Sequence, residues 1–276
     1  MHANQSESVH TPHSRRTPTR HLLALVAVVT LATASALPTT ARADTSLPAC
    51  PQPNPVITPS GKSPQVDCAL HSGDLDFAVK YWSVPELPKP RAVKVTVTDP
   101  SGAVVQTIDE LLEPSTPGGV GLQDIDGDGR EELIIPISQN LLHGGNPNTR
   151  FAVWRAHDDN RHYERTQMVG QAVYPSGDGY LVSNGGGLSS RDLTFYLPTG
   201  AGYTLVVVLT IEVLEADPAS NKALTVNCRA HEEDGLHAVD MSIRQAEDYF
   251  CNSPAARAIW PDAERVQIKR WGVFGN

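Results

Sequence analysis

Two short segments of the 276-residue chain carry residue types whose spacing can do chemistry. The first is Asp124-Ile125-Asp126-Gly127-Asp128-Gly129-Arg130-Glu131-Glu132, with carboxylates at relative positions 1, 3, 5 and 9 and glycine at position 6. Alternate side chains in such a run can turn inward, and Gly129 permits the sharp bend that brings its ends together. Asp124, Asp126, Asp128 and Glu132 then offer carboxylate oxygens, and Arg130 offers its backbone carbonyl. Hard cations take several oxygen ligands in flexible geometry, so Ca2+ is the cofactor this pattern suits. Without a cation the crowded carboxylates would repel one another. Position 12 is Ile135, so the bidentate Glu that completes an EF-hand is missing, and Leu133-Ile134-Ile135 reads as a strand leaving the loop. Every carboxylate is needed for the ion and none is spare as a base, so the expected role of the metal is structural.

The second segment is Tyr174-Pro175-Ser176-Gly177-Asp178-Gly179-Tyr180, between two predicted strands. One proline and two glycines make a tight, projecting turn from which Ser176 and Tyr180 present hydroxyls. A preformed turn loses little entropy on binding, and tyrosine combines apolar area with a polar tip. No other segment competes. The chain has no H-E-x-x-H, G-x-S-x-G, P-loop or dinucleotide fingerprint. His157 and His162 flank a turn without a third zinc ligand, and His231-Glu232-Glu233-Asp234 reads as a solvated loop. The expectation is a binding protein rather than an enzyme.

The elements that must position these segments are strands. Aromatic residues make up 6% of the chain, and 21 Gly and 22 Pro call for many turns between short elements, which excludes an all-helical bundle. Ala92 to Thr98 and Ala103 to Ile108 form a hairpin about the turn Asp99 to Gly102. Strands are expected over Gly118–Gln123 and Leu133–Ile137 around the acidic loop, then over Phe151–Arg155, His162–Met168, Leu193–Leu197 and Tyr203–Leu214. A helical pattern appears only near the end, capped by Asp240 or Ser242 and running to Cys251, with a second short helix starting at Ser253-Pro254. The predicted fold class is mainly β: meander or propeller-like antiparallel sheets with a calcium loop and short C-terminal helices.

Arg15, Arg16 and Arg20, the apolar run Leu22 to Ala36 and the Ala41-Arg42-Ala43 site read as a secretory signal over residues 1–43. The run is too short for a transmembrane anchor. Residues 44–66 are expected to be a Pro-rich extended leader and residues 67–276 a single β-rich domain. Cleavage removes four arginines and one glutamate, so 18 basic and 30 acidic residues remain and the net charge moves from −9 to −12. That balance opposes nucleic acid or an anionic membrane as partner and suits a cationic one. Cys50, Cys68, Cys228 and Cys251 all lie in the mature part, an even count that points to disulfides in an oxidising compartment. Of the three possible connectivities, proximity favours Cys50–Cys68 and Cys228–Cys251. A periplasmic protein is expected; secretion, or a lipid anchor at Cys50, is the alternative.

The acidic loop resembles the strand–loop–strand calcium loops of FG-GAP-like β repeats. Ser176-Gly177-x-x-Tyr180 resembles the inhibitory S-G-x-x-Y loop of bacterial periplasmic lysozyme inhibitors. Together, in this order along the chain, the two motifs look most like the larger immunity proteins of that superfamily. Those exported β-rich proteins protect bacteria from lysozyme-like effectors of antibacterial type IV secretion systems. The resemblance implies that Ser176, Gly177, Asp178, Gly179 and Tyr180 enter the active-site cleft of a lysozyme-like effector or host lysozyme. There the Ser176 and Tyr180 hydroxyls would meet the two carboxyl groups with which such enzymes cleave glycosidic bonds. The FG-GAP-like loop alone implies a different role, a calcium-dependent adhesion or glycan-binding module.

Overall fold

The computed structural model describes residues 47–51, 63–83, 91–141, 147–157, 161–200, 202–231 and 233–266. The expected signal segment and most of the expected leader lie outside the described residues. Three sheets follow one another along the chain. Sheet A is the meander β1 (Cys68–Ser72), β2 (Leu75–Trp82), β3 (Ala92–Thr98) and β4 (Val104–Leu111), and sheet B is the meander β5 (Gly121–Gln123), β6 (Glu132–Leu141), β7 (Pro147–Ala156) and β8 (Tyr163–Gly170). Sheet C adds β9 (Ala172–Pro175), β10 (Leu181–Gly186), β11 (Ser190–Thr199), β12 (Gly202–Ala216), β13 (Ala223–His231) and a short parallel strand, β14 (Glu264–Val266), beside β13. The fold is mainly β, as the turn-rich composition predicts. The β3–β4 turn shows how the sequence specifies it: the Asp99 carboxylate accepts from the backbone N–H of Ser101 at 2.9 Å and of Ala103 at 3.1 Å.

The sheets pack face to face in chain order. On β6, Leu133 and Ile135 point into a core shared with Phe77, Val95 and Ile108 of sheet A, while Ile134 points the other way, into a core shared with Val173, Leu181 and Tyr196 of sheet C. Three consecutive apolar residues therefore all lie buried, which is what a strand covered on both faces requires. A polar tie reinforces the first interface: the buried Glu110 carboxylate of β4 accepts from Trp154 Nε1 at 2.8 Å and from Arg165 Nε at 2.6 Å. The outer face of sheet C is covered by α1 (Ile243–Phe250) and α2 (Pro254–Arg257), which bury Ala246, Phe250, Ala255 and Ala256 against Val207, Leu209 and Phe195.

Both helices begin where side-chain caps fix them. Ser242 and Gln245 form a capping box on α1, and Ser253 accepts from Ala256 N–H at the start of α2. Asp240 instead ends the preceding 3₁₀ turn, Asp234–Val239, in a left-handed conformation. Strand β13 has no counterpart among the elements expected from sequence. The disulfides are Cys50–Cys68, which clips residues 47–51 onto β1 beside the Ala49–Ala69 bridge, and Cys228–Cys251, which ties β13 to the end of α1. The Cys50 sulfur, taken up in its bridge, is not free to carry a lipid. Two disulfides fit an oxidising, extracytoplasmic compartment. No helix among the described residues is long and apolar enough to cross a membrane.

Candidate functional site

The antiparallel register Gln123↔Glu132 leaves residues 124–131 as the β5–β6 connection. Ile125 is fully buried in the core between sheets B and C, which anchors the connection from within. The aspartates fold the loop around their own backbone. The Asp124 carboxylate accepts from Gly127 N–H at 2.7 Å and Gly129 N–H at 3.0 Å, Asp126 accepts from Asp128 N–H at 3.2 Å, and Asp128 accepts from Arg130 N–H at 2.9 Å. Gly129 adopts φ 85°, open to glycine at no steric cost. One carboxylate oxygen from each of Asp124, Asp126 and Asp128 lies within 4.8 Å of the others, so the group could bind a metal.

Glu132 plays a different part from the three aspartates. It is fully buried at the start of β6, with Oε2 accepting from Ile125 N–H at 2.9 Å and the Tyr203 hydroxyl beside its carboxyl. Burial pushes its carboxyl up to about 8; the Ile125 N–H opposes the rise and the neighbouring Asp126 charge adds to it. Asp126 Oδ2 is likewise buried and makes no aligned hydrogen bond, although Arg155 Nη2 of β7 lies 3.2 Å away. The same guanidinium reaches Asp128 Oδ2 at 3.3 Å, donates from Nη1 to the Thr199 carbonyl at 2.7 Å and lies 4.8 Å from the centre of the Tyr203 ring. Arg130 folds back onto Asp128, with Nε at 3.0 Å from Oδ2. Partial burial pushes the Asp128 carboxyl up, but hydrogen bonds from Arg130 and the charges of Arg130 and Arg155 outweigh it and hold the group below the usual carboxylate range.

An all-oxygen set in which Asp126 Oδ2 is buried without an aligned hydrogen bond fits a hard cation, which would satisfy that oxygen and offset the remaining negative charge. Asp124, Asp126 and Asp128 would hold it, and Glu132, whose Oε2 accepts from Ile125 N–H, lies outside that group. A pocket of about 200 Å³ opens beside the loop, walled in part by Arg130, Arg155, Arg165 and Tyr203. Arg155 and Tyr203, contributed by later strands, could not be read from the sequence, because nothing in a strand pattern says which loop its residues face.

The second predicted segment is the β9–β10 connection, closed by Ser176 N–H donating to the Tyr180 carbonyl at 2.8 Å. Gly177 and Gly179 are exposed, and both adopt φ 92°. Ser176 is buried, and its hydroxyl donates to the Asp178 carboxylate, so it braces the turn from inside rather than presenting a free hydroxyl. Tyr180 is half-buried. Its ring packs edge to face on Phe250 of α1, with centres 4.9 Å apart, and Gly177 faces Pro254 at the start of α2. Burial pushes the Asp178 carboxyl up, opposed by N–H groups of its own turn and by the Tyr249 hydroxyl. Sequence reasoning places the C-terminal helix correctly but not its contact with this turn, some 70 residues earlier in the chain.

No protein-family model and no curated protein matches the chain. The structure is similar to that of a Xanthomonas type IV secretion system related protein, with a TM-score of 0.39 and 18% identity over 62% of this chain and 91% of that one. A likeness at that level assigns neither family nor function.

Proposed function

We propose that the chain is an exported, periplasmic immunity protein that binds a lysozyme-like peptidoglycan hydrolase and inhibits it by placing the Ser176–Tyr180 turn in its active-site cleft. The observation that carries this reading is the build of the turn. Two exposed glycines leave backbone accessible, an internal Ser176–Asp178 bond fixes the shape, and a partly exposed tyrosine sits at the edge on a packed support. Such a turn costs little entropy to dock. Backbone at Gly177 and Gly179 would fill a sugar subsite, and the Tyr180 hydroxyl would meet one of the catalytic carboxyl groups. The acidic balance of the chain would steer it to a cationic enzyme and make association slow with rising salt. In this reading Ca2+ on Asp124, Asp126 and Asp128 has a structural role, and the protein itself catalyses nothing.

The test is calorimetric titration of the purified chain, with calcium, into chicken-type, goose-type and invertebrate-type lysozymes and a lysozyme-like bacterial effector. Tight one-to-one binding to one class, weakened at least tenfold by Tyr180→Ala with an unchanged melting profile, is expected. Unchanged binding by that variant would dispose of the turn as the contact. Absence of binding to every enzyme would sink the inhibitor reading and favour calcium-dependent recognition of a glycan.

A further inference from the structure

The contact turn is one half of a composite surface. Tyr249 and Phe250 are neighbours on α1 whose rings meet edge to face, with centres 4.9 Å apart, and they differ in burial: Phe250 is fully buried, whereas Tyr249 is 41% exposed. The Tyr249 ring stands 6.2 Å from that of Tyr180, at 69° to it. The two tyrosines therefore form a continuous aromatic edge, half of it on the turn and half on the helix. The helical half is held as firmly as the turn. Its N-terminus has a capping box, its last turn is bridged to β13 through Cys251–Cys228, and Glu247 accepts from Ala230 N–H of β13 at 2.9 Å. Rigid, partly exposed tyrosines bring large contact area at low entropic cost and dominate many interfaces. The Asp178 carboxylate accepts from the Tyr249 hydroxyl, and exposed Asp248 precedes Tyr249 on the helix, so both halves of the edge carry an acidic residue, the sign that a cationic enzyme requires.

We propose that Tyr249 is a second contact residue for the lysozyme-like enzyme, forming with Tyr180 a single aromatic edge, whose two halves carry Asp178 and Asp248, on which the enzyme closes. The inference rests on the reading of the Ser176–Tyr180 turn given above and extends the interface to the C-terminal helix.

The test uses the purified full chain and whichever enzyme of the panel it binds. Tyr249→Ala weakens binding at least fivefold with an unchanged melting temperature, and Tyr249→Phe recovers most of that loss. Asp248→Lys slows association several-fold at low salt. Asp74→Lys, the same charge change in the β1–β2 turn of sheet A, has a much smaller effect, which separates a local contact from a change in net charge. Binding by Tyr249→Ala within twofold of the parent, while Tyr180→Ala loses tenfold, would overturn the inference and leave the turn as the contact. Equal slowing by the two lysine substitutions would overturn it as well. A Tyr180→Ala variant that binds normally removes the underlying reading, and the helix surface falls with it.

Discussion

The β5–β6 connection and the β9–β10 connection are both short, glycine-bearing links between antiparallel strands, and they are stabilised from opposite directions. The acidic connection is organised by its own residues: each aspartate accepts a backbone N–H from within the loop, and Ile125 pins it to the core. What it lacks is charge balance, supplied in part by Arg130 and Arg155 and left incomplete at Asp126 Oδ2. The Ser176–Tyr180 turn has little charge to balance. It depends instead on apolar support from elements far along the chain, Phe250 against Tyr180 and Pro254 against Gly177. A ligand that completes charge should therefore stabilise the first, and anything that loosens the C-terminal helices should disable the second.

Phe250→Ala puts the largest strain on this contrast. Phe250 is fully buried, and its ring lies 4.8 Å from Phe195 as well as beneath Tyr180. Truncating such a side chain costs about 3–5 kcal/mol. The loss should fall on the turn: enzyme binding disappears, while calcium still raises the melting temperature by the parent's amount. A variant in which the calcium response collapsed together with binding would show that the two connections form one cooperative unit.

Calcium removal is the converse test and should have a somewhat smaller effect. An ion present at a hundred times its dissociation constant stabilises the folded chain by about 2.7 kcal/mol. For a chain of this size that corresponds to roughly 5–10 °C in melting temperature, lost on chelation. Asp126→Asn should abolish the calcium-dependent rise, because it removes the charge of a carboxylate whose Oδ2 is buried without an aligned donor. Enzyme binding at a temperature where the apo chain remains folded should change little. A calcium-independent melting temperature in the parent would mean that Arg155 and Arg130 already balance the loop.

The same contrast explains what could be read from the sequence. The acidic connection is a local object: its ligand spacing, its bend at Gly129 and the strand leaving at Leu133 are all written within a dozen residues. So are the helix caps Ser242 and Ser253 and the hairpin turn at Asp99. The environment of each site was not legible, since Arg155 approaches the aspartates from β7 and Tyr249 approaches Tyr180 from α1, and neither approach leaves a periodicity. Ser176 shows the cost of reasoning without that environment. Its hydroxyl is apt for a partner by residue type, yet the fold buries it against Asp178. Strand β13 escaped because Ala223–His231 mixes polar residues into a strand that lies inside sheet C with neighbours on both sides.

The smallest expected effect is also the most discriminating. Ser253 is a buried N-cap whose hydroxyl accepts from Ala256 N–H at 3.2 Å, and it starts the short helix whose first residue, Pro254, lies against Gly177. Replacing such a cap with alanine costs about 1 kcal/mol, or roughly 2–4 °C here. Neither connection of interest is touched directly by the lost hydrogen bond. If the turn takes its shape from the helices, Ser253→Ala should nevertheless weaken enzyme binding a few-fold, while the calcium-dependent rise in melting temperature stays the same. If the turn is instead self-sufficient, held by the Ser176–Asp178 and Ser176–Tyr180 hydrogen bonds alone, binding by Ser253→Ala will match the parent once both are fully folded. Titration and melting of that one variant therefore decide whether the support from α2 governs the turn or merely adjoins it.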